Sequence, residues 1–366
     1  MTSLCALLFF MAAQKPPPPT SDKFAQVSKH ALKAREQERW ADAERLYHEG
    51  VSLRPEWKEG WWYLGTMLYD QDRYEEAGTA LRRFTGLEPK LAAGWAFLGL
   101  CEYETNKYKE ALEYLQQAIT LGLNEDSQLS LATRYHAALL RTRSGQFEAA
   151  LEILMRFAEQ QKERPEFIEA AGLAALRKPL LPNQLPSVDR ELVLQVGRAV
   201  MDTGARRAAQ AQKDFEDLLA RHPTTPNLHY LFGSLLLTSD PDAGLAELKK
   251  ELEISPRHLP TLLQIAFEYL KRGDGAEALP YARKAAGVDS QFFVAHCALG
   301  RALVESGDIQ AGIKELELSE QQAPDNPQPR IALASAYAKA GRSKDAARER
   351  AEFLKLKELM KRPGEQ

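Results

Sequence analysis

The residues with chemical potential in this 366-residue chain are few and scattered. Seven histidines are present: His30, His48, His136, His222, His229, His258 and His296. Zinc hydrolysis needs two histidines one helical turn apart with a glutamate between them, and no pair has that spacing. His222 and His229 stand seven apart across Pro223 and Pro226, close enough in sequence to approach one another, but no third ligand accompanies them. Cys5, Cys101 and Cys297 form neither a disulfide framework nor a zinc-ligand pattern. Cys101 and Cys297 fall within helical patterns and are expected as small packed side chains. No glycine-rich cradle for a phosphate is present, and no Gly-x-Ser-x-Gly elbow for a nucleophilic serine. The reading is therefore non-catalytic, with no cofactor, no metal and no small-molecule substrate.

Charge narrows the partner. Lysine and arginine total 48 against 51 acidic residues, a net charge of -3. The doublets Arg82-Arg83 and Arg206-Arg207 are isolated. A nucleic-acid surface would need a basic stripe with aromatics interleaved, so no nucleic acid is expected. Near the start, Leu4 to Ala13 is apolar and uncharged, and Pro16 to Pro19 follow. Ten apolar residues are too few for a membrane-spanning helix and resemble the centre of a secretory signal, yet the basic leader is missing. Export to the periplasm, membrane association and a cytoplasmic location all stay open.

The elements that would carry any working surface are set by a period. Trp61 recurs as Trp95, Leu64-Gly65 as Leu98-Gly99, Tyr74 as Tyr108, Ala77 as Ala111 and Leu81 as Leu115, each 34 residues on. The second half repeats the spacing: Ile265, Leu299 and Leu333; Tyr269, Leu303 and Tyr337; Gly273, Gly307 and Gly341. In one unit, Trp61, Leu64, Gly65 and Leu68 share a helical face. Tyr74, Ala77, Leu81, Phe84 and Leu87 form a second stripe, Asp70 to Asp72 makes the turn, and Pro89 ends the unit. Gly65 and Ala77 are small where the two helices cross. Each hairpin keeps an apolar face that only another hairpin can cover, so units must stack.

The pattern Trp-x2-Leu-Gly with a later Ala, an apolar residue and Pro at this period resembles the tetratricopeptide repeat, in multi-repeat bacterial form. The resemblance implies an all-α fold, a right-handed solenoid of stacked antiparallel hairpins. Units begin near Phe24, Lys58, Ala92, Leu131, Thr225, Leu259, Phe293 and Pro327. The expected layout is an apolar segment and Pro-rich spacer at 1–23, an N-terminal stack at 24–163, and a degenerate repeat or insert with a Pro-rich loop at 164–224. A C-terminal stack at 225–343 and a polar capping helix and tail at 344–366 complete it.

Function follows from the same resemblance: a protein–protein interaction scaffold whose concave groove takes a peptide or protein ligand. Groove positions in this family are the second, fifth, ninth and twelfth of each repeat. Carried onto this chain, they give Trp62, Thr66 and Tyr69; Leu100 and Tyr103; Tyr135 and Leu139; and Leu263, Phe267 and Leu270. Aromatics dominate these positions, as they do in binding hot spots. The ninth places, Leu32, Thr66, Leu100, Leu139, Phe267, Arg301 and Ser335, lack the asparagine with which relatives clamp a C-terminal carboxylate, so that ligand class is disfavoured. Two other readings stay open: an accessory or substrate-recruiting subunit of an enzyme or of an envelope or secretion complex, and self-association by stacking of repeats.

Overall fold

The computed structural model describes residues 19–124, 127–162 and 164–361; the apolar segment at the start, Cys5 and the last residues of the tail lie outside them. The described residues are all-α, without a strand. The chain divides into two compact units, the first reaching Ile153 and the second beginning at Leu154.

The first unit holds α1 (Pro19–Glu36), α2 (Trp40–Leu53), α3 (Lys58–Asp70), α4 (Tyr74–Leu87), α5 (Ala92–Glu104), α6 (Tyr108–Leu121) and α7 (Gln128–Arg143), and α8 (Phe147–Glu159) runs across the division. The second holds α9 (Pro165–Ala175), α10 (Ser187–Gly204), α11 (Ala208–Arg221), α12 (Leu228–Leu236), α13 (Pro241–Ile254), α14 (Leu259–Arg272), α15 (Gly275–Val288), α16 (Phe293–Glu305), α17 (Ile309–Gln322), α18 (Pro327–Lys339) and α19 (Ser343–Lys361). Successive helices pack as antiparallel hairpins, and first helices of neighbouring hairpins also touch: α3 on α5, α5 on α7, α14 on α16, α16 on α18.

The expected small residues sit at the crossings. A Cβ on Gly65 would lie 2.7 Å from Leu81 Cγ, and one on Gly99 2.8 Å from Leu115 Cγ. The turns share one device. A residue with left-handed φ stands at Glu38, Asp72 and Asn106 and again at Gly273, Gly307 and Gly341, keeping the 34-residue step. The glycines of the second half were legible as turns; the non-glycine residues of the first half adopt the same φ without that signal.

Arg164 to Pro223 was expected as a degenerate joining insert. Its helices α9, α10 and α11 pack in succession onto α12, within the second unit. Three prolines break the helix as expected, though Pro182–Gln184 forms a 3-10 turn that buries Leu181 and Leu185. The α9–α10 contact is the tightest of the crossings: a Cβ on Gly172 would stand 1.9 Å from the Val193 carbonyl oxygen, and one on Gly197 2.0 Å from that of Ile168. In the repeat that follows, Gly233 meets Leu248 fifteen residues on, where Gly65 meets Leu81 and Gly300 meets Leu316 sixteen residues on, so one residue is missing between the crossing positions. Its first helix, α12, begins at Leu228, three residues after the expected unit start at Thr225.

The residue four places before each crossing glycine makes a recurring contact. The indole N–H groups of Trp61 and Trp95 donate to the carbonyls of Pro55 and Pro89, both at 2.8 Å. In the second unit His229 and His296 take this place. Their Nε2 atoms lie 3.0 Å from the carbonyls of Pro223 and Ser290, again six residues back, and their Nδ1 atoms lie 2.6 Å from Glu247 and Glu315. His296 is a core residue, and His229 is committed to this pair and not to His222. Cys101 and Cys297 are buried, and burial pushes both thiols up, Cys101 to about 12. The last helix is less polar outside than expected of a cap: Leu354, Leu359 and Met360 are exposed along with its charges.

Candidate functional site

First helices place their side chains either against the next hairpin or into an open face, and the two units divide these roles differently. In the first unit the predicted aromatics form a row of ring contacts. Trp62 packs on Phe84 at 5.1 Å and on Phe97 of the next hairpin at 5.6 Å. Tyr69 meets Phe97 at 5.2 Å and Tyr74 at 5.4 Å. Tyr103 meets Tyr108 at 5.8 Å and His136 at 4.5 Å, and Tyr135 packs on His136 at 5.2 Å. Burial pushes the hydroxyls of Tyr69 and Tyr103 up to about 12. Thr66 spends its hydroxyl on its own helix, donating to the Trp62 carbonyl at 3.0 Å.

Phe84 is buried, and the other rings are half-buried. Expectation placed Trp61 inside and Trp62 in the groove; both are half-buried, because Trp61 is held at the surface by its bond to Pro55 and Trp62 by the rings of the next hairpin. A cavity of about 270 Å³ beside Trp62 is lined also by Glu59, Tyr63, Phe84 and the exposed Leu91, and its one lysine, Lys58, is ion-paired to Glu88.

Four of the predicted groove residues are largely covered. Leu100, Leu139, Leu263 and Leu270 are 4%, 2%, 8% and 4% exposed. First helices of adjacent hairpins touch, and an aliphatic side chain at these positions is covered by the neighbouring helix. Leu100 lies in a core with Ala111, Leu115, Ala137 and Leu140; Leu263 and Leu270 lie in one with Leu262, Ala266 and Leu299. They hold hairpins together and offer a ligand little surface.

An open groove lies in the second unit, with a volume of about 610 Å³. Three successive first helices line it: α14 gives Phe267, α16 gives Val294, Cys297, Arg301 and Val304, and α18 gives Gln328, Ile331 and Ser335. With Phe267 at the ninth place, the α16 and α18 residues occupy the second, fifth, ninth and twelfth places that the family resemblance assigns to a groove. Ile331 is 43% exposed at its edge. Phe267, Arg301 and Ser335 stand at ninth places legible in the sequence; Val294, Cys297, Val304, Gln328 and Ile331 carry no aromatic signal that would mark them as groove residues.

Arg301 projects over the Phe267 ring, 6.0 Å from its centroid. Glu305, Ala332, Lys339 and, from the second helix α17, Leu316 complete the lining. No reactive constellation appears in this groove. Its one thiol, Cys297, is buried, and burial pushes it up. The geometry suits binding: apolar walls, a few polar groups and an open side.

Comparison with known proteins agrees with this architecture. The family model for the tetratricopeptide repeat matches residues 28–90, 78–125, 263–327 and 297–352, together just over half of the chain. No curated protein matches it. Among solved structures, it is similar to MamA of Desulfovibrio magneticus RS-1, at 17% identity over 45% of this chain and 94% of that one, with a TM-score of 0.43. It is also similar to YrrB, described as a TPR protein with an unusual peptide-binding site, at 13% identity over 44% of this chain and 84% of that one, with a TM-score of 0.40. The family assignment rests on the repeat matches and not on these distant likenesses.

Proposed function

Because this chain belongs to the tetratricopeptide repeat family, whose members are in general non-catalytic scaffolds for other proteins, we propose that it is itself a non-catalytic scaffold and that it binds a peptide segment of a partner protein in the groove of its second unit. The observation that carries this reading is the lining of that groove by regularly stepped residues of three consecutive first helices. A groove built this way presents one repeating face to an extended or helical segment, with side-chain pockets one hairpin apart. Aliphatic walls at Val294, Val304 and Ile331 supply apolar contact, and Gln328 and Ser335 supply hydrogen bonds. The aromatic row of the first unit contributes chiefly to holding its hairpins together, with Trp62 and Leu91 bordering a second, smaller cavity.

Site-specific crosslinking tests the reading. A photoreactive residue is placed at Ser335 in the groove, or at the exposed Lys314 on a second helix, in the full chain mixed with extract of its source cells. A defined adduct from Ser335 and none from Lys314, with the crosslink mapped to one segment of the partner, is the expected result. Equal yields from both sites would remove the groove as the working surface.

A further inference from the structure

The groove of the second unit has apolar walls and two cations that nothing neutralises. Two other arginines of this unit are matched: Arg272 reaches Asp242 at 2.7 Å and Glu268 at 3.0 Å, and Arg330 reaches Glu320 at 2.6 Å and Glu349 at 3.0 Å. Arg301 and Lys339 make no ion pair and no hydrogen bond among the described residues, although both line the groove. Arg301 is half-buried and held by the Phe267 ring, so its guanidinium is placed in advance and its donors are open. Glu305 stands one turn further along α16 and forms no pair with Arg301. Its Cβ instead packs where a side chain on Gly275 would be, and its enclosed Oε2 has no hydrogen-bond donor.

The smaller cavity of the first unit differs: its lysine is already paired to Glu88 and Glu59 is exposed at its rim, so it offers no open cation. We propose that the second-unit groove selects an acidic peptide segment, one in which aspartate or glutamate side chains alternate with aliphatic ones. This rests on the groove reading above and names the chemistry of its ligand. A carboxylate at Arg301 gains charge-assisted, geometrically matched hydrogen bonds. An aliphatic neighbour fills the wall between Val294 and Ile331. Arg301 lies at mid-helix and Lys339 at the end of α18, so the two cations call for two carboxylates. Internal acidic side chains supply both, whereas a chain terminus supplies one.

The test is a selection of random twelve-residue peptides displayed with their C-termini fused, on the intact chain, followed by anisotropy titration of the winners. Variants Arg301→Glu, Lys339→Glu and Ile331→Asp are checked for native circular dichroism first. The expected winners are rich in Asp and Glu beside aliphatic residues, bind at least about tenfold more weakly to Arg301→Glu, and lose affinity with added salt. A peptide with its acid changed to lysine regains affinity for that variant. If winners lack acidic residues, or bind Arg301→Glu as they bind the parent, the acidic ligand is overturned. In that case loss of binding in Ile331→Asp still upholds the groove. If no peptide is enriched, or the winners ignore Ile331→Asp, the groove reading falls and the acidic ligand with it.

Discussion

The two units repeat one hairpin and use it for different ends. Where the first unit has tryptophan and tyrosine on its first helices, the rings span the gap to the next hairpin and are half-buried there. Where the second has valine, arginine, isoleucine and serine, the side chains stop short of one another and leave about 610 Å³ open. A large ring is a good anchor for a partner, yet in a tandem array the nearest partner is the adjacent repeat. Position in the repeat therefore fixes which face a residue occupies, while side-chain length decides whether that face is filled from within.

The crossings show a similar contrast, and substitutions there carry the largest expected effect. In the second unit Gly172 faces the Val193 backbone, which cannot rotate away; in the first, Gly65 faces the tip of Leu81. Gly172→Ala should cost about 3 kcal/mol or more and Gly65→Ala closer to 1 kcal/mol, by the usual range for overpacking. Urea unfolding measures both. Equal costs would show that α9 and α10 can separate, and that the Arg164 to Pro223 region is a looser insert than its packing indicates.

The aromatic row comes next. Trp62→Ala removes a half-buried ring with two aromatic neighbours and should cost about 2 kcal/mol, below the value for a fully buried tryptophan. Ile331→Asp, at the exposed groove edge, should stay within about 0.5 kcal/mol. A Trp62→Ala variant as stable as the parent would break the comparison by showing that the rings hold nothing together.

Smaller effects attach to the residue before the crossing glycine. Burial pushes the Glu247 carboxyl up, but hydrogen bonds from Lys250 and His229 outweigh it and leave it below the usual carboxylate range. A carboxyl lower in the folded than in the unfolded chain adds stability above the unfolded value, and that stability disappears as the pH falls through the folded one. Thermal unfolding between pH 3 and 7 should thus show a steeper acid loss in the parent than in Glu247→Gln. Indole contacts at Trp61 and Trp95 carry no such dependence. Smallest of all is an alkaline effect in the first unit. Tyr69 and Tyr103 should form phenolate only near pH 12, later than exposed tyrosines, as followed by absorbance. Since the folded chain favours their neutral form, their contribution is lost as the pH rises past the unfolded value near 10.

Much of this was legible in sequence. The 34-residue step of Trp61, Gly65 and Ala77 fixed the hairpin, its crossing and its stacking, because only small residues fit where helices cross. The left-handed φ at Glu38 and the residue missing between Gly233 and Leu248 were not legible, since neither leaves a residue-type signal. Within the groove set, the rule of position found Phe267 but also named Leu100, Leu139, Leu263 and Leu270. Helix periodicity tells which way a side chain points; it does not tell whether a neighbouring helix of the same array already covers it. The pairing of His229 with Glu247 and of His296 with Glu315 joins residues on two helices, and single-helix spacing cannot show it.

The central claim is that the second-unit groove binds and the first-unit rings chiefly pack. Titrating one selected peptide against folded Ile331→Asp and folded Trp62→Ala, at a temperature where both are native, tests it most directly. Ile331→Asp should lose binding by at least about tenfold while Trp62→Ala binds as the parent does. Loss in Trp62→Ala with full binding by Ile331→Asp would contradict it, and would move the working surface to the first unit.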